Sequence, residues 1–479
     1  MQSKLKLGLF AIGLKTYWNQ FDGLKSRLEG YLGVVEGKIK ALHPQVINAG
    51  LIDTVDKSFE AGSLFRRNEV DLVFLYISTY ALSSTVLPAV QAAQAPVILL
   101  NLSPEKAIDY DTFNAMQDRT RMTGEWLAYC SACPVPELIN VFKRIGIRYH
   151  QVTGLLEDDP LVWQEVSEWI DAAKVKNVMF YNRLGCIGNY YNGMLDIYTD
   201  LTRQYKYFGG HIELIEPDEL TSIRNSVTQT EINRQELLFE KHFDIELDCS
   251  KSELTRAAKT SAALEKLVRK FKLGAIAYYC KGSDSNNEDT FASVILGNSL
   301  LTANNIPVAG EYDIKNAQAM KILDSFGIGG SFTEYYAMDY QDDVILMGHD
   351  GPGHILIADG KPKVKPLQVY HGKVGKGLSV EMVVKHGPVT MLSVIEQADG
   401  TLALLVAEGT SVAGKILKIG NTNSRYKFSI GAKSFLEAWN SYGPAHHCAV
   451  GIGHIADKLK KLGALLDMEV IIVCRSFIE

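Results

Sequence analysis

Short apolar runs alternate with longer segments of helical spacing through the first three hundred residues of the chain. Short runs of this kind predict strands buried on both faces, and the segments between them predict helices. Strands that alternate with helices build parallel sheets covered by helices on both sides. The pattern predicts two doubly wound, Rossmann-like α/β domains. The predicted strands are residues 5–10, 70–77 and 96–100, then 178–181, 211–215, 275–280 and 306–309, with a helix over 252–272.

After about residue 340 the pattern changes to closely spaced strands separated by Gly-rich turns. The dipeptide Asp399-Gly400 between two apolar runs is a strong hairpin signal. This pattern of short strands and turns predicts a mainly antiparallel, barrel-like or sandwich domain at the C-terminal end. Its predicted elements are strands at residues 344–347, 354–358, 389–396 and 402–407, a helix over about 453–466 and a final strand over 469–474.

A chain of 479 residues is long enough for two or three domains, each with its own core. The polar turn over residues 157–160 favours a boundary between the two α/β domains. We therefore expect an N-terminal α/β domain at 1–158, a central α/β domain at 159–338 and a C-terminal β-rich domain at 339–479.

Composition excludes several classes of function. The 49 Lys and Arg residues are dispersed among 55 Asp and Glu residues, so the chain has no basic field for nucleic acid. No apolar window of about 18 residues predicts a membrane span. An odd number of scattered cysteines, seven in all, favours the reducing cytoplasm. Neither the dinucleotide fingerprint nor the phosphate loop occurs, so a nucleotide cofactor has no support.

Cys130 and Cys133 form a C-x-x-C pair, which occurs in redox sites and as half of a zinc site. No second pair is present to complete a zinc site. A redox pair is expected just after the first strand of a βαβ unit, and this one is not there. The pattern favours a structural role for the pair.

Histidines and two glutamates mark a candidate metal site. Glu311 follows the apolar run 306–310, at the carboxyl end of a predicted parallel strand, where ligands bind in α/β sheets. Glu334 stands beside aromatic residues, where a buried carboxylate requires a partner or a cation. Imidazole is the commonest protein metal ligand. Seven of the eleven histidines lie in the last third of the chain: His349, His354, His371, His386, His446, His447 and His454.

Four short motifs around these residues resemble L-arabinose isomerases. Residues 309–315, A-G-E-Y-D-I-K, are similar to the family's A-G-E-x-D-x-K, and residues 331–336, S-F-T-E-Y-Y, are similar to its S-F-x-E-x-Y. M-G-H at 347–349 and G-P-A-H-H at 443–447 resemble the family's two histidine motifs. All four occur in the same order as in the family.

The resemblance implies one divalent cation, usually Mn²⁺ and alternatively Co²⁺ or Mg²⁺, held by Glu311, Glu334, His349 and His447. Two carboxylates and two imidazoles suit such an ion. It also implies an intramolecular oxidoreductase that converts an aldose to a ketose through an enediol, with Glu311 and Glu334 as the catalytic acid and base. Which of the two acts at carbon stays open. Family members form homo-oligomers with pockets between subunits, so we expect a tetramer or a hexamer.

Three neighbours of these residues have two alternative roles each. His446 is expected to point away from His447 on a strand, where it contacts a substrate hydroxyl or supports the site. Asp313 and Lys315 either orient Glu311 or form a solvated ion pair.

The chain departs from the family at two substrate-contacting positions. Lys15 stands where the family has a glutamine after the first strand, and the region of Cys133 replaces a histidine that the family lends to a neighbouring subunit. A lysine offers three donors and no acceptor, so it suits a sugar acid, a phosphate or a rearranged neutral sugar.

The substrate is therefore expected to be L-arabinose or another aldose, such as an L-fucose-like, galactose-like or branched sugar. A non-catalytic sugar-binding relative is the alternative from a different class. Four convergent, costly ligands argue against a mere binder.

Overall fold

The computed structural model describes residues 5–281, 284–367 and 377–475, and His371 lies outside these ranges. The chain divides into two compact units, residues 1–177 and 178–479. The division falls near the end of one long helix, Pro160–Phe180. The division into three domains at 158 and 338 stays a prediction.

The N-terminal unit is built on a five-stranded, wholly parallel sheet. Its strands are β1 (Leu7–Ile12), β2 (Val46–Ile52), β3 (Leu72–Tyr76), β4 (Val97–Ser103) and β5 (Tyr149–Leu155), and its helices are α1 (Leu24–Leu42), α2 (Val55–Asn68), α3 (Ser83–Ala93), α4 (Tyr110–Ala115), α5 (Arg119–Leu127), α6 (Val135–Ile145) and α7 (Pro160–Phe180). Every residue of β3 is buried, which explains its unbroken apolar run.

The strand order of this sheet is β2-β1-β3-β4-β5. β2 lies on one side of β1, and β3, β4 and β5 follow on the other side. The direction in which successive strands are added therefore reverses between β1 and β3. In doubly wound sheets ligands bind at the carboxyl ends of the strands at such a reversal. A short 3-10 turn, Lys15–Tyr17, follows β1 at that edge.

The C-terminal unit begins with a second parallel sheet of order β10-β9-β6-β7. The order again reverses, here between β6 and β9. Its elements are β6 (Arg183–Gly188), α8 (Leu201–Phe208), β7 (His211–Ile215), α9 (Pro217–Asn225), α10 (Gln229–His242), β8 (Asp244–Ile245), α11 (Lys251–Phe271), β9 (Ala275–Tyr279), α12 (Ser285–Phe291), α13 (Ile295–Ala303), β10 (Val308–Ala309) and α14 (Ile314–Ser325).

The remaining strands form a barrel in which β15, β18, β11, β12, β17 and β16 pair in turn and β16 pairs back to β15. All six of these pairings are antiparallel. β19 adds to β16 in parallel, and β8, β13 and β14 form a small separate sheet. These elements are β11 (Ser331–Asp339), β12 (Val344–His349), β13 (Lys363–Leu367), β14 (Gly377–Glu381), β15 (Gly387–Glu396), β16 (Leu402–Val412), β17 (Thr422–Lys427), α15 (Ala432–Asn440), β18 (His447–Ile452), α16 (Ala456–Leu466) and β19 (Glu469–Cys474).

The predicted fold class is confirmed: two helix-flanked parallel sheets precede an antiparallel barrel. The Asp399-Gly400 hairpin joins β15 to β16, and Gly400 has the positive φ of 77° that glycine tolerates best. The final strand is also confirmed, since β19 covers residues 469–474. Among the helices of the described ranges, none combines the length and apolarity needed to cross a membrane.

Two predicted strands are wrong. Residues 178–181 mostly end helix α7, and the strand begins at Arg183. Residues 355–357 form a 3-10 turn rather than a strand, with Ile355 and Ile357 buried. Both segments are short apolar runs, and burial alone does not distinguish a helical segment from a strand. The run at 306–309 is also shorter than predicted, since only Val308–Ala309 pairs with β9.

Candidate metal centre

Glu311 lies in the tight turn between β10 and α14. Glu311 and Tyr312 both have positive φ, 56° and 64°, a conformation that costs non-glycine residues about 1–3 kcal/mol each. Backbone hydrogen bonds hold this turn: Tyr312 N–H donates to the carbonyl of Tyr278, and Asp313 N–H donates to that of Gly310. The strained backbone places the Glu311 side chain beyond the carboxyl edge of the parallel sheet, as the sequence predicted.

Glu334, His349 and His447 lie on three neighbouring strands of the barrel. β11 runs between β12 and β18, and Glu334 pairs directly with His447 across β11 and β18. His349 is the last residue of β12. Phe332 lies two positions before Glu334, on the same face of β11, and its ring centroid is 4.4 Å from that of His349 and 4.3 Å from that of His447.

The four predicted ligands converge. One ligand atom from each of Glu334, His349 and His447 lies within 4.8 Å of the others, and the same holds for Glu311, His446 and His447. His447 Nε2 is 3.3 Å from Glu311 Oε2, and His349 Nε2 is 3.9 Å from Glu311 Oε1. Residues separated by up to 136 positions thus form one cluster of donors.

His447 is held by Asp313. Its Nδ1 donates to Asp313 Oδ2 over 3.1 Å, and both side chains are fully buried. This bond places a hydrogen on Nδ1 and turns Nε2 toward Glu311, and a metal ion at Nε2 would displace any hydrogen there. A carboxylate behind a histidine is the usual support of a metal-binding imidazole.

Burial and mutual charge shift the pKa values of these groups in opposite directions. Burial raises the pKa of Glu334. Burial also acts on Glu311, but His446 and His447 outweigh it and hold the pKa of Glu311 well below its usual range. Burial lowers the pKa of His349 to about 3, with the charge of His447 adding to the effect. For His447 burial is outweighed by Asp313 and Glu311, which raise its pKa to about 9.

The donor set fits a divalent cation. Glu311 Oε2 and His447 Nε2 are buried atoms without a hydrogen-bond partner, and they lie 3.3 Å apart. Unpaired buried polar atoms are costly, so a cluster of them indicates a ligand that satisfies them. Two carboxylates and two imidazoles suit Mn²⁺ and related ions.

A cavity of about 230 Å³ opens beside the cluster. Glu311, Glu334, His349 and His446 line one part of it, and Tyr191, Tyr279 and Met194 line another. The cavity is smaller than the ~300–1,000 Å³ of pockets for drug-sized ligands. Among its described lining residues none is Lys or Arg.

His446 does not point away from the cluster as expected. It precedes β18, which begins at His447, so strand alternation does not apply to it. The two rings lie 3.8 Å apart, and His446 Nε2 is 3.7 Å from Glu311 Oε2. Its Nδ1 donates to Asp196 Oδ2 over 2.6 Å.

Asp313 and Lys315 do orient the site, but through other residues than Glu311. Asp313 caps α14 by accepting from Asn316 N–H and holds His447 with its second oxygen. Lys315, only 5% exposed, donates to the carbonyl of Asp196 over 2.6 Å. Asp196 itself was missed, because a single acid in an irregular loop gives no sequence signal.

Lys15 and Cys133 belong to the N-terminal unit and are both exposed. Lys15 follows β1, and Cys133 precedes α6. Tyr17 lies near both cysteines of the C-x-x-C pair: burial first, then the two thiols, raises its pKa. The two positions thus belong to one edge of the parallel sheet, and their contact with substrate stays a prediction.

Residues 329–469 match the family model for the L-arabinose isomerase C-terminal domain. Over this segment the chain is similar to arabinose isomerases. The match covers less than a third of the chain and confirms the family resemblance there. No curated protein matches the chain.

The arabinose isomerase domain contains Glu334, His349, His446 and His447. Glu311 precedes it, in the turn that follows the parallel sheet. The cluster is therefore assembled by one ligand from outside the matched domain and three from within it.

Proposed function

We propose that this chain is a divalent-metal-dependent aldose–ketose isomerase. The convergence of Glu311, Glu334, His349 and His447, with buried donor atoms that lack partners, carries the proposal. The arabinose isomerase domain supports the reaction class. A protein that only bound sugar would have no use for four ionisable side chains at one buried point.

Glu311, Glu334, His349 and His447 would hold the cation, with Mn²⁺ as the first candidate and Co²⁺ or Mg²⁺ as alternatives. When bound, such an ion supplies a Lewis acid for two neighbouring sugar oxygens. Asp313 keeps the hydrogen of His447 on Nδ1, so that Nε2 is the donor atom offered to the ion.

The reaction moves one proton between C1 and C2 and another between O1 and O2 of the sugar. Glu311 and Glu334 both line the cavity and are the acid and base for these transfers. One takes the proton from carbon and the other moves the proton between the oxygens. The strained turn at Glu311 fixes the position of its carboxylate before substrate arrives.

The cavity favours a neutral sugar. Its described lining carries no Lys or Arg side chain, so it offers no ammonium or guanidinium to pair with a phosphate or a sugar acid. The rings of Tyr191 and Tyr279 lie 4.6 Å apart in the wall and offer an aromatic surface to the apolar face of a sugar. L-arabinose or a closely related aldose is the proposed substrate.

An aldose panel with defined metal content tests the proposal. The protein would be stripped with a chelator, reconstituted separately with Mn²⁺, Co²⁺ and Mg²⁺, and assayed for ketose formation from L-arabinose, L-fucose, D-galactose and a branched aldose. We expect one ion per subunit and turnover that depends on it. Full turnover after thorough chelation would refute the metal dependence. A metal-loaded protein that binds sugars and converts none would be a sugar-binding relative instead.

A further inference from the structure

His446 is held in place by Asp196 through two contacts to one oxygen. Asp196 Oδ2 accepts from the backbone N–H of His446 over 2.9 Å and from its ring Nδ1 over 2.6 Å. Two bonds from one residue to a single acceptor fix both the backbone and the ring orientation. The opposite ring nitrogen, Nε2, is thereby turned toward Glu311.

Asp196 is in turn held by Lys315. The ammonium of Lys315 is buried and donates to the backbone carbonyl of Asp196 over 2.6 Å. Asp196 lies in a 3-10 turn, Leu195–Ile197, between β6 and α8. The bond from Lys315 connects the turn that carries Asp196 to α14.

Two residues at the start of α14 therefore support both adjacent histidines. Asp313, the residue that caps α14, holds His447 directly. Lys315, two residues later, holds His446 through Asp196. The two rings are left 3.8 Å apart with their Nε2 atoms facing the same carboxylate, that of Glu311.

We infer that Asp196, supported by Lys315, is a positioning residue that keeps His446 Nε2 facing the cavity, where it contacts a substrate hydroxyl. The role of the substrate in this inference rests on the proposed isomerase function. The orientation of His446 does not, because it follows from the hydrogen bonds. Asp196 touches none of the four proposed metal ligands in the described contacts, so its loss should leave metal binding intact.

Removal of the carboxylate tests the inference. Asp196→Ala should lower kcat/KM for the best aldose about tenfold to a hundredfold while the bound metal per subunit stays unchanged, because a substrate hydroxyl would lose its hydrogen-bond partner. Asp196→Asn keeps an oxygen acceptor and should restore part of the loss. Asp200→Ala is the matched control: it removes a carboxylate from the same segment, one that caps α8 and does not contact His446.

A crystal structure of Asp196→Ala supplies a readout that needs no activity. We expect the His446 ring to be rotated, with Nε2 no longer facing Glu311, in the metal-free and the metal-loaded protein. An unchanged ring, or an equal loss of kcat/KM in Asp200→Ala, would overturn the inference. If Asp196→Ala does not fold, Lys315→Met removes the supporting bond and should displace the same ring. If the wild-type protein converts no aldose, the proposed function fails and the ring orientation still decides the role of Asp196.

Discussion

His447 donates its Nδ1 hydrogen to Asp313 over 3.1 Å, and solvent reaches neither side chain. The same carboxylate caps α14 through its other oxygen. One acid therefore fixes both the start of a buried helix and the orientation of a proposed metal ligand. The structural and chemical roles of Asp313 can be separated, because asparagine caps helices about as well as aspartate.

Asp313→Asn should weaken metal binding about tenfold to a hundredfold while α14 stays capped. The neutral amide is a poorer acceptor for His447 Nδ1 than the carboxylate. Competition between protein and a metal-sensitive indicator would measure the affinity. Asp118→Asn, which changes the cap of α5 in the other unit, is the control and should bind metal as the wild type does. Wild-type affinity in Asp313→Asn would show that Asp313 serves the helix alone.

Glu334→Gln and His447→Ala should each abolish ketose formation and reduce the bound metal. Glutamine keeps the size of Glu334 but loses the charge, and alanine removes the imidazole donor. Metal analysis and the aldose assay would be run on the same preparations. Glu213→Gln on β7 and His386→Ala at the surface are matched controls, because neither residue lines the cavity. Normal metal content in both site variants would remove Glu334 and His447 from the metal centre.

Gly348→Ala should destabilise the barrel and disturb the metal centre. A Cβ at this position would lie 1.8 Å from the backbone carbonyl oxygen of Thr422, so β12 or β17 would have to move. Overpacking typically costs about 1–3 kcal/mol in free energy of unfolding, and His349 is the next residue. Gly30→Ala in α1 meets nothing within 4 Å and should instead stabilise by about 0.5–1 kcal/mol. Denaturant unfolding and metal titration of both variants would check this.

Much of the fold was predictable because buried strands and antiparallel hairpins leave periodic patterns. The strands β7, β9, β15 and β19 lie within a few residues of their predicted positions. Residues 178–181 were mistaken for a strand because a short apolar run at the end of a buried helix has the same composition. Closure of the barrel between β15 and β16 depends on pairings that no local pattern specifies.

The candidate site was predictable only as far as short motifs extend. Glu311, Glu334, His349 and His447 are predicted as a metal site because four motifs occur in order, and the structure brings these side chains together. The orientation of His446 could not be predicted, since it depends on where β18 begins and on Asp196, 250 residues away. Asp196 lies in an irregular turn, whose long-range partners the sequence does not reveal.

The protein should be a homo-oligomer, a tetramer or a hexamer. The motivation is the resemblance to arabinose isomerases, in which the pocket lies between subunits. Light scattering coupled to size-exclusion chromatography, at the concentrations used for the aldose assay, would measure the state. A monomer that converts aldoses at the full rate would refute the expectation.

Lys15 in the N-terminal unit is expected to influence which aldose the protein prefers. Lys15 follows β1, at the edge where the strand order reverses between β1 and β3, which is the usual place for a ligand in such a sheet. A donor-only ammonium replaces the family's amide there, and the exposed thiol of Cys133 replaces an imidazole. Each exchange removes an acceptor that a sugar hydroxyl would otherwise meet.

An unpaired hydroxyl in the pocket costs about 1–3 kcal/mol, which is roughly tenfold to a hundredfold in discrimination between sugars. If Lys15 and the region of Cys133 line the pocket, the wild-type protein should have a low kcat/KM for L-arabinose compared with its best aldose, with its metal centre intact. Lys15→Gln should shift the preference toward L-arabinose, and Lys40→Gln, at the exposed end of α1, should not. The ratio of kcat/KM values across the aldose panel is the measurement. If the wild type already prefers L-arabinose and Lys15→Gln leaves every ratio unchanged, Lys15 does not contact the substrate, because a pocket residue with three donors cannot be exchanged for an amide without altering at least one hydroxyl contact.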